Sequence, residues 1–210
     1  MRRCSWALLI GAVLLALVYP VGASASRRRP SQAGPFVALR DANGRPLLAW
    51  GADGLVRRAG ELGYQVVVLT ARSIQHRSLV IPGVRIVRGC GYRDRGSPTA
   101  VRYAAAQVRR CAARMAEEVR RGVPVLVTCA MGENRSAFMA ARIRHLVTGE
   151  PGTSLVDQMR NPAPGHRSFV NRAFRRVARR WHAASPVPAP TRTIPTESTT
   201  PAPEDRAGVE

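Results

Sequence analysis

The chain has 210 residues, which favours one domain with extensions, and its apolar share of 45% is sufficient for a packed core. All 33 basic residues are arginine and the formal net charge is +20, a balance typical of proteins whose partners are nucleic acid, anionic membranes or phosphorylated molecules. The same arginine bias is typical of GC-rich coding sequence, so charge alone is a weak argument for nucleic-acid binding. The four cysteines form neither a CxxC pair nor a Cys/His cluster at zinc spacing, which argues against a metal site.

The first residues have the pattern of an export signal. Two arginines precede an apolar run at 7–18, and Ala23-Ser24-Ala25 then supplies the small residues that signal peptidase cuts. The sequence therefore predicts a signal peptide over 1–25, a linker over 26–35 and a secreted or cell-envelope protein without a membrane span after cleavage. The alternative is a membrane anchor that keeps residues 6–19.

The last residues have a composition that cannot fold by itself. From 183 to 210 the chain is rich in Pro, Thr and Ser and has almost no large apolar residue. We predict a disordered tail there, which leaves 36–182 as the domain.

The first half of this domain alternates short strands with one short helix. Asn43-Gly44 is a turn signal between two apolar runs and predicts a hairpin. A continuous β-branched run is typical of a strand that is buried on both faces. The predicted elements are strands at 36–39 and 46–50, a helix at 53–62 and strands at 64–70 and 84–87.

The second half begins with a long helix that Ser97 caps and Gly122 ends. A second buried strand and three further helices follow it, at 123–128, 136–147, 154–160 and 167–181. This alternation predicts a single three-layer α/β domain, with a central, mostly parallel sheet flanked by helices. Ligands of such folds bind at the carboxyl ends of the strands, and Cys129 follows the strand 123–128 directly.

The segment from Cys129 to Ser136 carries the chemistry. Five residues separate Cys129 from Arg135, which is the Cys-x5-Arg loop of cysteine phosphatases. The intervening backbone can curl so that its N–H groups point at one phosphate, and Gly132 supplies the unhindered position that such a curl needs. The predicted phosphate-binding residues are Ala130, Met131, Gly132, Glu133, Asn134 and Arg135.

Each end of the loop has a predicted role. A helix N-terminus stabilises thiolate over thiol, so Cys129 is the candidate nucleophile, and Arg135 can hold two phosphate oxygens in its planar fork. Ser136 can hydrogen-bond the sulfur as it leaves a phosphocysteine intermediate, and it is also a candidate helix N-cap. Because Glu133 places a carboxylate in an anion loop, we expect its side chain to point outward.

Asp94 is the candidate general acid. It is the only carboxylate between Glu61 and Glu117, and it lies in a loop between a predicted strand and the long helix. The alternative for Asp94 is a solvated acid paired with Arg93 or Arg95.

These residues together resemble the dual-specificity branch of the protein tyrosine phosphatases. The likeness extends from Trp50 to Phe174, with Asp94 at the position of the family's general acid and 125–136 at its signature loop. The resemblance implies a monomeric enzyme without metal or cofactor that hydrolyses phosphotyrosine, phosphoserine or phosphothreonine in proteins. Thr128 stands where the family has His before the cysteine.

Two other functions remain open. Asn134-Arg135 resembles the signature of the RNA 5′-triphosphatases of capping enzymes, which favours RNA 5′ ends as a substrate, and a phosphoinositide is a further candidate. Thr128 instead favours a pseudophosphatase that binds phosphorylated ligands without turnover. The sequence leaves open whether Cys90 and Cys111 pair.

Overall fold

A five-stranded sheet carries the candidate site in the computed structural model, which describes residues 34–71 and 78–184. The predicted signal peptide, most of the linker and all but two residues of the predicted tail lie outside these residues, so those boundaries stay predictions. The strand order is β1-β2-β5-β3-β4, in which β1 is antiparallel to β2 and all the other pairs are parallel. The strands are β1 (Phe36–Arg40), β2 (Pro46–Ala52), β3 (Val66–Leu69), β4 (Arg85–Val87) and β5 (Val125–Cys129).

Burial on both faces explains the composition of the two central strands. All residues of β3 and β5 are buried, as the continuous apolar runs predict. The alternate residues Val66 and Val68 face one core, whereas Val67 and Leu69 face the other. The prediction of an α/β domain with a mostly parallel sheet flanked by helices is confirmed.

The larger core lies between the sheet and four helices. Ser97 caps α1 by accepting a hydrogen bond from the Ala100 N–H, as predicted, and Gly122 follows its last turn with a φ of 79°. None of the helices among residues 34–71 and 78–184 is long and apolar enough to cross a membrane. The helices are α1 (Pro98–Arg120), α2 (Arg135–Thr148), α3 (Gly152–Met159) and α4 (Arg172–Ala178).

On the opposite face of the sheet, the structure differs from the helix predicted at 53–62. Residues 53–62 do not form an α-helix. A 3₁₀ helix spans Asp53–Arg58 instead. Gly60 and Gly63 follow it, and a tight turn returns the chain so that the Tyr64 N–H bonds the Ala59 carbonyl at 2.9 Å. Glycines favour such a turn over continued helix.

The last predicted helix is also shorter than expected. Residues 167–171 precede α4 as a loop, in which Phe169 has a φ of 54°. Asn171 caps α4 by accepting from the N–H groups of Ala173 and Phe174, so the helix begins at Arg172.

An aromatic cluster joins the helices to the loops of the site. The ring of Phe138 in α2 stacks on Phe174 at 4.8 Å and on Trp181 at 5.6 Å between centroids. Tyr92 and Phe169 approach the same ring edge-on, at 6.4 and 6.3 Å. Four rings, one from the segment before α1 and three from residues 169–181, therefore pack on one side chain.

A substitution at Gly152 should test the contact between α3 and the end of α4. A Cβ at this position would overlap the carbonyl oxygen of Ala178 and lie 2.8 Å from its carbonyl carbon. We expect Gly152→Ala to lower the free energy of unfolding by about 2 kcal/mol, since backbone atoms must move to relieve the overlap. Thermal unfolding would then shift downward by roughly 4–8 °C.

The matched control is Gly54→Ala, because a Cβ at Gly54 meets no atom within 4 Å. Its free energy of unfolding should stay within about 0.5 kcal/mol of the wild type. Equal stabilities of the two variants would contradict the packing of α3 against the carbonyl of Ala178.

Candidate functional site

Cys129 is the last residue of the central strand. The strand β5 lies between β2 and β3, and Cys129 pairs with Ala52 of β2. The thiol is free, and the residue is only 3% exposed. The structure thus places Cys129 at the carboxyl edge of the sheet, where the chain turns into α2.

Ser136 is the side-chain partner of this thiol. Its hydroxyl oxygen lies 3.3 Å from the Cys129 sulfur, and the residue is fully buried. The alternative interpretation of Ser136 as an N-cap is wrong, because α2 already begins at Arg135 and Asn134 occupies the cap position. The hydroxyl is therefore directed at the sulfur from within the first turn of the helix.

The loop between Cys129 and α2 is held at several points along the backbone. Met131 forms an isolated bridge with Ala52, and its side chain is half exposed. Gly132 has a φ of 71°, the conformation that the curled loop requires and that a residue with a Cβ rarely adopts. The Phe169 N–H bonds the carbonyl of Glu133 at 3.0 Å, and the Glu133 residue is partly buried.

Arg135 presents a buried donor. Its Nε is buried and makes no hydrogen bond to any group in residues 34–71 and 78–184. A buried N–H without a partner costs about 1–3 kcal/mol, which an oxyanion in the loop would recover. Arg135 therefore has a side-chain donor available for an anion.

Tyr92 supports the same loop through its hydroxyl group. Its hydroxyl donates to the carbonyl oxygen of Arg135 at 2.6 Å, and the residue is 1% exposed. Burial raises the Tyr92 pKa well above its usual 10.0, and the electrostatic interaction with Cys129 raises it further, while Arg135 opposes the shift. Tyr92 is accordingly a neutral donor at the start of α2, and sequence reasoning did not assign it to the site.

Asp94 reaches the loop through two amides. One carboxylate oxygen accepts from Asn134 Nδ2 and the other from Asn171 Nδ2, both at 2.8 Å. The Asn171 N–H also donates to Asn134 Oδ1 at 2.8 Å, which closes a network of three residues. The alternative pairing of Asp94 with Arg93 or Arg95 is absent from the ion pairs of the described residues.

Asn171 is a site residue whose role sequence reasoning missed. It lies within the stretch from Trp50 to Phe174 that carries the resemblance, where its Oδ1 caps α4 and its Nδ2 binds Asp94. A cap residue is recognisable before a helix, but nothing local indicates that its second amide atom serves a carboxylate 77 residues earlier.

A disulfide fixes the beginning of the segment that carries Asp94. Cys90 and Cys111 are bonded, with their Cα atoms 5.9 Å apart, which answers the question that the sequence left open. The bond links residues just before Tyr92 to the middle of α1. Cys129 is the one free cysteine in the part of the chain that the structure describes.

Thr128 occupies a buried position next to Cys129. Its hydroxyl lies 3.5 Å from the Val68 carbonyl, and its own carbonyl accepts from the Thr70 N–H and hydroxyl at 2.9 and 2.7 Å. These bonds join the ends of β5 and β3. Thr128 thus contacts the neighbouring strand.

No family model matches the chain, and no curated protein sequence matches it. Several solved structures match the chain. A mouse protein described as a dual specificity phosphatase, solved with zinc tungstate, is 20% identical with a TM-score of 0.53, and the match covers 74% of this chain and 92% of that one. The chain has the fold of a dual-specificity phosphatase.

Two further solved structures have lower TM-scores. TpbA of P. aeruginosa is 21% identical over 64% of this chain and 80% of its own, and OH1, a tyrosine phosphatase of Orf virus, is 17% identical over 70% and 88%. Both have a TM-score of 0.48, so the fold assignment rests on the mouse structure. In this dual-specificity phosphatase fold, the described residues contain no group of three or more His, Cys, Asp or Glu side chains that could hold a metal ion.

Alkaline unfolding should report the buried phenol of Tyr92. Tyrosine in an unfolded chain titrates near pH ~10, whereas burial raises the pKa of Tyr64 to about 12 and that of Tyr92 well above 10. The folded state keeps both protons, so their stabilising contribution is complete below pH ~10 and is lost as the pH rises toward the folded values. Wherever a tyrosine is ionised in the unfolded chain and protonated in the folded one, we expect a loss of about 1.4 kcal/mol per pH unit above pH ~10.

The measurement is urea unfolding at a series of pH values. Tyr92→Phe and Tyr64→Phe should each remove about half of the slope above pH ~10, and the double variant should remove nearly all of it. A slope unchanged in Tyr92→Phe would show that this phenol titrates as it does in the unfolded chain.

Proposed function

We propose that the chain is a cysteine-dependent phosphatase that hydrolyses phosphomonoesters through a phosphocysteine intermediate, with phosphoproteins as its substrates. One observation carries the proposal. A buried thiol at the end of the central strand lies 3.3 Å from the Ser136 hydroxyl, beside an Arg135 whose buried Nε has no partner within the described residues. A nucleophile and an oxyanion donor therefore flank one loop at a helix N-terminus.

The first step is attack of the Cys129 thiolate on phosphorus. An S–P bond forms while the bond from phosphorus to the leaving oxygen breaks, and that oxygen takes a proton from Asp94. The loop N–H groups and Arg135 stabilise the charge on the remaining phosphoryl oxygens. Water then attacks the phosphocysteine and gives its proton to Asp94, and the S–P bond breaks to release phosphate. Ser136 donates to the departing sulfur.

The hydrogen bonds from Asn134 and Asn171 can hold Asp94 in place while it donates and accepts a proton. A carboxylate has about four lone-pair sites, and the two amides use one on each oxygen. A further site on either oxygen can carry a proton to a leaving group without breaking the network. We infer that Asn134 and Asn171 act as positioning residues for Asp94.

The same network weakens the RNA interpretation. Asn134, the residue that resembles the RNA 5′-triphosphatase signature, already bonds Asp94 with its Nδ2 and Asn171 with its Oδ1. These two contacts explain why an asparagine is present at position 134, whatever the substrate is. The predicted export signal lies outside the described residues and stays a proposal. If the protein is exported, a phosphoprotein is favoured further over RNA as its substrate.

Replacement of the nucleophile separates an enzyme from a pseudophosphatase. Wild type should hydrolyse a small aryl phosphate, and Cys129→Ser should lose at least about a hundredfold in kcat, because an alcohol is a far weaker nucleophile than a thiolate. Binding of vanadate or phosphate, measured by calorimetry, should persist in the variant.

Ser136→Ala is the companion variant for that experiment. It should still form the phosphocysteine but break it down slowly, so rapid mixing should reveal a burst of released phenol. If the wild type binds phosphate without hydrolysing any aryl phosphate, the chain is a pseudophosphatase and the proposal is wrong.

A comparison of leaving groups tests Asp94. Asp94→Asn should lower kcat by about 10²–10⁴-fold on alkyl phosphates, whose poor leaving group needs a proton, and by much less on an activated aryl phosphate. Asn171→Ser is the matched positioning variant, since serine keeps the cap of α4 and removes the Nδ2 donor to Asp94.

For Asn171→Ser we expect a smaller loss with the same preference for the aryl substrate. Equal losses on both substrates for Asp94→Asn would assign Asp94 a structural role and remove it from the mechanism.

A further inference from the structure

One side of α4 and of the turn that follows it is covered with arginine. The side chains line an open surface cavity of about 400 Å³. Their spacing of three, four, seven and eight residues from the first places them on one face of the helix. The residues are Arg172, Arg175, Arg176, Arg179 and Arg180, which we call the arginine face.

Little negative charge compensates this face. Arg179 pairs with Asp157 at 3.0 Å, and both side chains are at least half exposed. No ion pair among residues 34–71 and 78–184 includes the other four arginines. Burial lowers the Arg175 pKa from its usual value, and the charges of Arg160, Arg172 and Arg179 lower it further. The arginines therefore repel one another, and an anionic partner would relieve that repulsion.

The arginine face begins at the edge of the candidate active site. Arg172 follows Asn171, whose side chain binds Asp94. Arg175 donates to the carbonyl of Phe169 at 2.8 Å, and the N–H of Phe169 bonds the carbonyl of Glu133 in the phosphate loop. From Arg172 to Arg180 a helix rises about 12 Å, which an extended peptide covers with about four residues.

We propose that the arginine face binds an acidic stretch of the protein substrate, next to the phosphorylated residue that enters the Cys129 loop. This inference rests on the proposed phosphatase function and names the substrate that the function prefers. The acidic stretch carries Asp, Glu or further phosphate groups over about four residues.

The surrounding side chains favour a peptide over a membrane or a nucleic acid. A membrane-binding helix needs exposed apolar side chains beside its basic ones, and the large exposed apolar residues of the described chain all lie outside α4. Single-stranded nucleic acids are commonly bound on exposed aromatic rings that stack on the bases, and the five residues that line the cavity are all arginines. An acidic peptide needs only the charges that this face has.

The test compares two phosphopeptides of equal length. One carries four Glu residues on either side of the phosphorylated residue, and the other carries Gln at those positions. Exposed ion pairs are individually weak and screened by salt, so we expect the wild type to favour the acidic peptide by about tenfold in KM at low salt, with little change in kcat. The preference should shrink at high salt.

The variant Arg172→Gln/Arg176→Gln/Arg180→Gln should lose this preference and keep its activity on a small aryl phosphate. The matched control is Arg45→Gln/Arg109→Gln/Arg114→Gln, which removes the same charge from three exposed arginines outside α4. It should keep the preference. A wild type without preference, or equal losses in both variants, would overturn the proposal.

Binding separates this proposal from the proposed function. Fluorescence anisotropy with the Cys129→Ser protein measures the affinity for both peptides without turnover, so the arginine face can be assessed even if no phosphate ester is hydrolysed. If the three substitutions weaken binding to anionic lipid vesicles or to single-stranded RNA more than to the acidic peptide, the face serves that other partner and the proposal is wrong.

Discussion

The complete burial of β5 is the constraint on which the other elements depend. A strand that lies between β2 and β3 and is covered on both faces can present a side chain to a ligand only at its end. Cys129 occupies that end, and the turn into α2 aims the first helical N–H groups at the same place. The arrangement of the candidate site follows from this one junction, because Cys129, the curled loop and Arg135 are consecutive parts of it.

The rest of the site depends on contacts between distant segments. Tyr92 supports the Arg135 carbonyl from the loop before α1, and Asn171 reaches Asp94 from the start of α4. The ring of Phe138 contacts Tyr92 before α1 and Phe169 before α4, and these contacts fix how the two segments pack against α2. A substitution in this aromatic cluster would therefore disturb the position of Asp94 without contacting a substrate.

The sequence predicts the local features of this arrangement well. Alternating patterns and helix caps identify the strands, α1 and the turn into α2, because each depends on neighbours within a few residues. Predictions were wrong where glycines favoured a tight turn after Arg58, and where Asn171 began α4 later than the apolar pattern suggested. The Cys90–Cys111 bond and the Asp94 network could not be derived, since both join residues whose proximity only the folded chain creates.

The disulfide also determines how the site responds to oxidants. A reactive thiolate that meets peroxide becomes a sulfenic acid, and a nearby second cysteine normally resolves it as a reversible disulfide. Here Cys90 and Cys111 are already bonded to each other, and the described residues contain no further cysteine beside Cys129. An oxidised Cys129 therefore has no internal resolving partner among them, and its return to the thiol would depend on a thiol supplied by another molecule.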